Sequence, residues 1–426
     1  MHGVKRQPKT AATAEARAAR KAKEAAKLAS YLEIERTFFD YKRQARKDTT
    51  ALHHTTKLLT LNPELYTVWN YRREVLLHIF VSAVEEEGQQ EKKQDVFASL
   101  REGEGSAGQD DKDEKDREEE RRVVRNQQLL EDDLMLTEHA LRAHPKVYWI
   151  WNHRMWCLTQ YPTPSASSSS SSASTWVWER ELKLVEKMLD LDPRNFHGWN
   201  CRRAILQHLA LSILSSDPST TALAADQPSF PALLSHPLII SSPTKPALLS
   251  LAQKELAYAL KKIESNFSNF SAWHQRTKLL PHVWAAKQLN PAQIDTQVDT
   301  ELELVKQAMY TDPSDQSVWF YHRWLIELLL QPQGGKGERG KRKKAVLREE
   351  IGVIEELFEL EPESKWCASS LAHYCTVLAG LYAEDAEVEG KEEAMGKAKG
   401  LLLKLVELDP DREQRYRDLL EGKAHF

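Results

Sequence analysis

The chain has 426 residues with 59 Lys and Arg against 63 Asp and Glu, a formal charge of −4, and four cysteines. That near balance excludes a general attraction to nucleic acid or to an anionic membrane surface, and four scattered cysteines exclude a disulfide framework, reading instead as reduced thiols of a cytoplasmic protein. No apolar run reaches the roughly 20 residues of a membrane helix, and the basic, Ala-rich N-terminus lacks the apolar core of a signal peptide.

Residues 1–48 are predicted to contain a charged helix that turns amphipathic near Tyr31, Ile34, Phe38 and Tyr41 and starts a stack. A repeated pattern then begins. Counted from Pro63, there is an aromatic at +3 (Tyr66), Trp at +6 (Trp69), Arg at +9 (Arg72) and an aliphatic at +13 (Leu76). Pro145 repeats it with Tyr148, Trp151, Arg154 and Leu158, and Pro193 with Phe196, Trp199, Arg202 and Leu206. A fourth copy puts Phe267 in place of proline but keeps Phe270, Trp273, Arg276 and Leu280; a fifth runs Pro313, Gln316, Trp319, His322, Ile326. Upstream, positions −11 and −4 are Leu52 and Leu59, Leu134 and Leu141, Leu182 and Leu189, Leu256 and Ile263, Leu302 and Met309. Seven residues is two helical turns, so each pair shares a face of a first helix. Proline ends that helix and is tolerated in the first turn of the next, whose own stripe is +3, +6, +9, +13. Each unit is therefore a helical hairpin, and fixed-period self-similarity predicts an all-α, superhelical solenoid over 49–330.

Between units, 84–125 is rich in Glu, Lys and Asp with almost no aliphatics, 162–175 is Ser-rich and 215–246 is rich in Ser, Pro and Leu. These are expected as low-complexity insertions on loops, too poor in apolar surface to offset the entropy of ordering. Residues 331–344 are expected as a basic, Gly-rich loop, and 345–426 as degenerate helical units: a sixth with Ile351, Phe358, Pro362 and an early Trp366, and a seventh with Asp409, Pro410 and Tyr416.

Trp69, Arg72, Trp151, Arg154, Trp199, Arg202, Trp273, Arg276 and Trp319 read as repeated core residues, the Trp burying apolar area and the Arg bonding across the unit boundary. The residues that differ between copies are more informative. Position +1 is Glu64, Lys146, Arg194, Ser268 and Ser314, so only repeats two and three place a cation there, beside Tyr148 and His197. Helix N-termini already favour anions, and two adjacent units presenting Lys146, Tyr148, Arg194 and His197 would make a site for a phosphate or diphosphate. Neither a catalytic nucleophile signature nor metal-ligand spacing is present; Cys367, His373 and Cys375 read as core residues of a helix. Acting alone, the chain does not read as an enzyme, and a tetratricopeptide-like scaffold would also be built of hairpins, although its period of about 34 residues does not fit.

The tandem W-N-x-R-R and W-x-x-R units at 62–76, 194–203, 266–276 and 312–325 resemble the protein prenyltransferase alpha-subunit family, over nearly the whole chain apart from the insertions. Within it, D-P-S-D-Q-S-V-W-F-Y-H-R-W-L, L-E-P-E-S-K-W-C and the N-terminal Met1-His2-Gly3 are similar to the type II, Rab-modifying branch rather than the subunit shared by farnesyltransferase and type I geranylgeranyltransferase. The resemblance implies a right-handed, crescent-shaped array wrapped around a separate beta subunit, which holds the catalytic zinc and the lipid pocket. It implies transfer of geranylgeranyl from geranylgeranyl diphosphate to C-terminal cysteines of Rab GTPases presented by a Rab escort protein. Lys146, Tyr148 and His197 then match the family's catalytic side chains from the alpha side, with Lys146, Arg194 and His197 on the diphosphate and no metal in this chain. The sequence departs from farnesyltransferase at Arg194, Phe196 and Trp149. The immunoglobulin-like and leucine-rich-repeat domains that follow in mammalian type II subunits are not expected here, the last helical unit lying close to Phe426.

Overall fold

The computed structural model describes residues 14–95, 110–161, 175–220, 223, 228–330 and 338–426, and among them helix is the only regular secondary structure. The chain divides into two compact units, 1–205 and 206–426. In the first, α1 (Ala14–Arg43), α2 (Thr49–Leu61), α3 (Tyr66–Asp95), α4 (Asp110–Ala143), α5 (Tyr148–Thr159) and α6 (Thr175–Leu191) lead into α7 (Phe196–Ser215), in which the boundary falls. The second contains α8 (Phe230–Leu234), α9 (Pro237–Ile240), α10 (Lys245–Ser265), α11 (Phe270–Ala286), α12 (Pro291–Thr311), α13 (Gln316–Leu330), α14 (Glu338–Leu360), α15 (Lys365–Glu384), α16 (Val388–Leu408) and α17 (Glu413–Leu420).

All five repeats form the expected hairpin, with a four-residue turn between helices that end at 61, 143, 191, 265 and 311 and begin at 66, 148, 196, 270 and 316. The proline lies in that turn, ahead of the second helix, which begins at the +3 residue. Its carbonyl has a use. Trp69 Nε1 donates to Pro63 O, Trp151 to Pro145 O, Trp199 to Pro193 O and Trp319 to Pro313 O, each at 2.9 Å, and Trp273 donates to Phe267 O at 2.7 Å. Trp69, Trp199 and Trp273 are only 1% exposed, and an indole N–H buried so deeply must find an acceptor. The fourth copy can replace proline with Phe267 because the bond uses a backbone carbonyl and not the ring.

The arginines at +9 cross to the next unit. Arg72 forks onto Asp133, through Nε to Oδ2 at 2.9 Å and Nη2 to Oδ1, while its Nη1 donates to Leu52 O and Thr55 Oγ1 in its own hairpin. Arg154 does the same to Glu181 at 2.7 and 2.6 Å, and Arg276 to Glu301. In the fifth unit His322 takes the arginine's place and bonds Glu350 at 2.8 Å. Asp133, Glu181, Glu301 and Glu350 all stand twelve residues before their own unit's proline. In three units the residue at +8 braces the acid at −12 from within: His153 to Asp133 at 2.7 Å, Tyr321 to Glu301 at 2.6 Å and Gln275 to Glu255 at 3.2 Å. Arg72 with Asp133, Arg154 with Glu181 and Arg276 with Glu301 thus join adjacent repeats as buried, bidentate ion pairs, and His322 with Glu350 makes the equivalent single bond.

Three expected insertions are narrower than their composition suggested. Of 84–125, residues 96–109 lie outside the described residues; α3 runs to Asp95 and α4 starts at Asp110. Glu, Lys and Arg are good helix formers and can pair along a helix face, as Arg122 does with Glu119, and Arg125 and Asn126 reach the carbonyls of Ile79 and Phe80. Of 162–175, residues 162–174 lie outside the described residues and Thr175 opens α6. The stretch 215–246 is folded wherever it is described: Phe230, Leu233, Leu234 and Ile239 are buried, Ser235 Oγ meets His282 Nδ1 at 2.8 Å, and α8 packs on α11. Its serines and prolines mask an apolar set large enough to be worth burying.

The basic loop expected at 331–344 is a helix from Glu338 onward, with 331–337 outside the described residues. The basic residues of its second turn are held in ion pairs. Arg342 pairs with Asp295 and Asp299 at 3.0 and 2.9 Å, and Lys344, 7% exposed, sits between Asp385 and Glu387. In the seventh unit Tyr416 is buried and donates to Asp409 Oδ2 at 2.8 Å, a side-chain substitute for the Trp-to-carbonyl bond.

Candidate functional site

The second helices of repeats two and three begin with Tyr148 and Phe196, and the residues expected to form an anion site lie around those two ends. Asn195 fixes their spacing. Its Nδ2 donates to Pro145 O at 2.9 Å, while its Oδ1 accepts from the His197 and Gly198 amides at 3.0 and 3.3 Å, capping α7 against the preceding turn. Gly198 packs closely there, since a Cβ would lie 3.0 Å from Leu189 Cδ2 and displace that side chain.

Two of the four expected side chains meet, Tyr148 and His197, and Lys146 joins them through its backbone. The Tyr148 and His197 rings are 5.8 Å apart. Burial lowers the His197 pKa, and a hydrogen bond to the Lys146 backbone opposes the shift. The Lys146 ammonium stands 3.5 Å from Asp192 of the neighbouring turn but is 74% exposed, a surface pair that a more highly charged anion would outcompete. Arg194 is exposed on the same turn, and among the described residues no hydrogen bond or ion pair holds it. Two helix N-termini, a lysine and a histidine on one edge suit an anion with several oxygens.

The rim is also aromatic. Tyr66 lies tilted against Trp149 at 5.2 Å, Trp149 meets Tyr148 edge to face at 5.1 Å, and His197 lies tilted against Phe196 at 4.0 Å, with Tyr66, Tyr148 and Phe196 about half or more exposed. Trp149, the bulky departure from the family pattern, therefore bridges repeats one and two. In the second unit Phe270, His274, Phe320 and Trp324 line an apolar groove of about 350 Å³. Exposed aromatic surface beside a charged edge is what a partner interface presents.

Asp133, His153 and Cys157 bring their ligand atoms within 4.8 Å of one another in the core. They do not suit a metal. Arg72 occupies both carboxylate oxygens, His153 spends Nε2 on Asp133, and burial pushes the Cys157 thiol well up, away from the thiolate a metal needs. Cys367 and Cys375 are buried too, with the Cys375 thiol pushed up to about 11 by burial.

The sequence reading missed the acid at −12, Asn195 at +2, and the pair Arg73 and Asn152. A periodic signal existed for the first: Asp133, Glu181, Glu255, Glu301 and Glu350 recur at one offset. For the capping role of Asn195 a partial signal existed: Asn269 and Asp315 stand at the same offset and accept from the first amides of their own helices, whereas repeats one and two carry Leu65 and Val147.

The protein prenyltransferase alpha subunit repeat matches this chain at residues 48–79, 130–161, 178–209, 252–283 and 298–329. The chain is 32% identical over 429 residues to the geranylgeranyl transferase type-2 subunit alpha of Schizosaccharomyces pombe, covering 99% of this chain and 98% of that one. It is 28% identical over 423 residues to the Saccharomyces cerevisiae protein of the same description, covering 99% of each. Against the Rattus norvegicus protein it is 29% identical over 302 residues, 70% of this chain and 38% of the other. Its fold is similar to a chain of the Candida albicans protein geranylgeranyltransferase-I complexed with GGPP, with a TM-score of 0.51 and 18% identity over 92% of this chain and 90% of that one. With five repeats matched and full-length relatives of one description, the chain belongs to the protein prenyltransferase alpha-subunit family, in its geranylgeranyl transferase type-2 branch.

Proposed function

We propose that this chain is the alpha subunit of a Rab geranylgeranyltransferase. It lines one wall of a site completed by a beta subunit, which supplies the lipid pocket and a catalytic zinc. Geranylgeranyl diphosphate and a Rab GTPase carried by an escort protein are the substrates. The cysteine thiolate forms a bond to C1 of the isoprenoid as the C1–O bond breaks and diphosphate leaves. Negative charge grows on the departing oxygens, and donors already aimed at them lower the barrier. Lys146, Tyr148 and His197 are those donors, with Arg194 adding positive potential. The observation that carries this reading is the meeting of Tyr148, His197 and the Lys146 backbone at two adjacent helix N-termini, in a chain that spans 98% of a type-2 alpha subunit. Zinc, when bound to the partner, supplies the lowered thiol pKa; this chain's part is orientation and charge.

Co-expression with type-2 and CaaX-type beta subunits tests it. Modification of a Rab ending in two cysteines, dependent on escort protein, supports the reading. Modification of a CaaX peptide alone would assign the chain to the farnesyl and type I enzymes, and failure to pair with any beta subunit would favour a scaffold.

A further inference from the structure

Tyr148 opens its helix with its ring half exposed, and a phenol has one proton to give. To serve an anion at the rim, that proton must point outward. We propose that Arg73 and Asn152 are positioning residues that fix its direction, an inference that rests on the placement of Tyr148 at the diphosphate. Arg73 comes from the second helix of repeat one. It donates from Nη2 to Asn152 Oδ1 at 2.7 Å and from Nε to His153 Nδ1 at 3.3 Å, with its guanidinium 5.5 Å from the Trp156 ring centre. A guanidinium has donors only, so the amide oxygen of Asn152 must face it. The amide NH₂ then points the other way, to Tyr148 Oη at 3.5 Å. An NH₂ can only donate, so the phenol oxygen accepts from Asn152 and its own proton stays free for the ligand.

The polarity is inherited from the core. His153 accepts the Arg73 hydrogen bond at Nδ1, so its neutral ring carries hydrogen at Nε2 and donates a bond from it to Asp133 at 2.7 Å. Asp133 is the acid that Arg72 locks. One buried carboxylate thus sets a tautomer, the tautomer receives Arg73, and Arg73 orients the amide beneath Tyr148. Reversing that amide would require an N–H to face a guanidinium.

The test uses the heterodimer with the beta subunit and single-turnover geranylgeranyl transfer. Asn152→Asp keeps the Arg73 contact as an ion pair but turns the group beside Tyr148 into an acceptor, drawing the phenol proton inward. It should lower the rate about as much as Tyr148→Phe, by about 10²-fold, with little change in KM for geranylgeranyl diphosphate, and add nothing in a Tyr148→Phe background. Asn152→Ala, which frees the phenol to rotate, should cost less than Asn152→Asp. Heterodimer yield and thermal midpoint, unchanged across the set, separate positioning from a folding defect. Multiplicative losses in the double variant, or an Asn152→Asp enzyme with the wild-type rate, would overturn the positioning role alone. A wild-type heterodimer unable to transfer lipid would instead bring down the reading beneath it.

Discussion

Asp133→Ala should be among the most destabilising single substitutions in the first unit, because three hydrogen bonds and one ion pair end on that carboxylate. Asp133 is 1% exposed and Arg72 4%, so removing the acid strands a buried guanidinium that keeps only Leu52 O, Thr55 and Thr56 on its Nη1. Breaking such a pair from one side costs about 3–5 kcal/mol, whereas replacing both partners with well-packed apolar residues is often near neutral. Asp133→Ala should therefore lower stability by about 3–5 kcal/mol, and the double variant Arg72→Met/Asp133→Leu should restore most of it. The exposed pair Arg142 and Glu138, 68% and 34% exposed, is the control, with Arg142→Ala expected within about 0.5 kcal/mol. Urea unfolding followed by tryptophan fluorescence, with amide exchange of α2 and α4 to locate the loss, reads all of these. A cost for Asp133→Ala close to the Arg142 control would refute the idea that these ion pairs hold neighbouring repeats together. Burial by itself would push the Asp133 carboxyl up, but Arg72 and His153 overcome it and hold it well below the usual carboxylate range. The sign follows: this contribution is complete above about pH 4 and is lost as pH falls through the folded pKa.

Lys146→Ala should slow single-turnover transfer by about 10²- to 10³-fold while leaving heterodimer yield unchanged; an unchanged rate would remove Lys146 from the diphosphate. Leu233→Ala, at a fully buried position of the short helices on α11, should cost about 2–5 kcal/mol, and a cost within error of zero in urea unfolding would show that 228–240 is not part of the core. Burial, aided by Arg323, pushes the His373 pKa down to about 4. The unfolded chain then takes up a proton that the folded one refuses, so stability should fall as pH drops from about 6.5 toward 4, by about 2–3 kcal/mol. His373→Gln should flatten that slope in pH-dependent unfolding, and an unaltered slope would exclude His373 as its source.

The hairpins were legible because their signal is redundant: an apolar pair at −11 and −4, a Trp at +6 and an Arg at +9 must all coincide for one repeat to stack on the next. What proline contributes was only half legible. It stops the first helix, as expected, but the carbonyl it offers to the indole is invisible in a side-chain pattern, and Phe267 in that position is understood only once the bond is seen. The folded part of 215–246 was missed because composition averages over residues that geometry separates; Phe230, Leu233 and Ile239 are few but share one buried side. For the site, the cations at +1 stood out because other copies lack them, so Lys146 and Arg194 could be singled out. Their ordering elements could be only in part: the cap that Asn195 provides recurs at Asn269 and Asp315, but its bond to a carbonyl fifty positions earlier leaves no mark in the sequence.

The adjacent arginines of repeat one explain how a load-free edge can be kept in register. Arg72 turns inward to Asp133 and closes the boundary between repeats one and two. Arg73 cannot follow it, because consecutive residues on a helix point about 100° apart, and it crosses the same boundary nearer the rim, where it meets Asn152 and His153. Both arginines end on one hydrogen-bonded set, since His153 joins Arg73 to Asp133. Three hydrogen bonds in series, Asp133 to His153, His153 to Arg73 and Arg73 to Asn152, therefore link the buried acid to the amide beneath Tyr148. That coupling separates the dyad from an ordinary surface contact: Asp133→Asn, which keeps volume but removes the charge that favours the Nε2–H tautomer of His153, should reduce transfer in excess of its effect on heterodimer yield, and an equal decline of both would show that the core and the rim are independent.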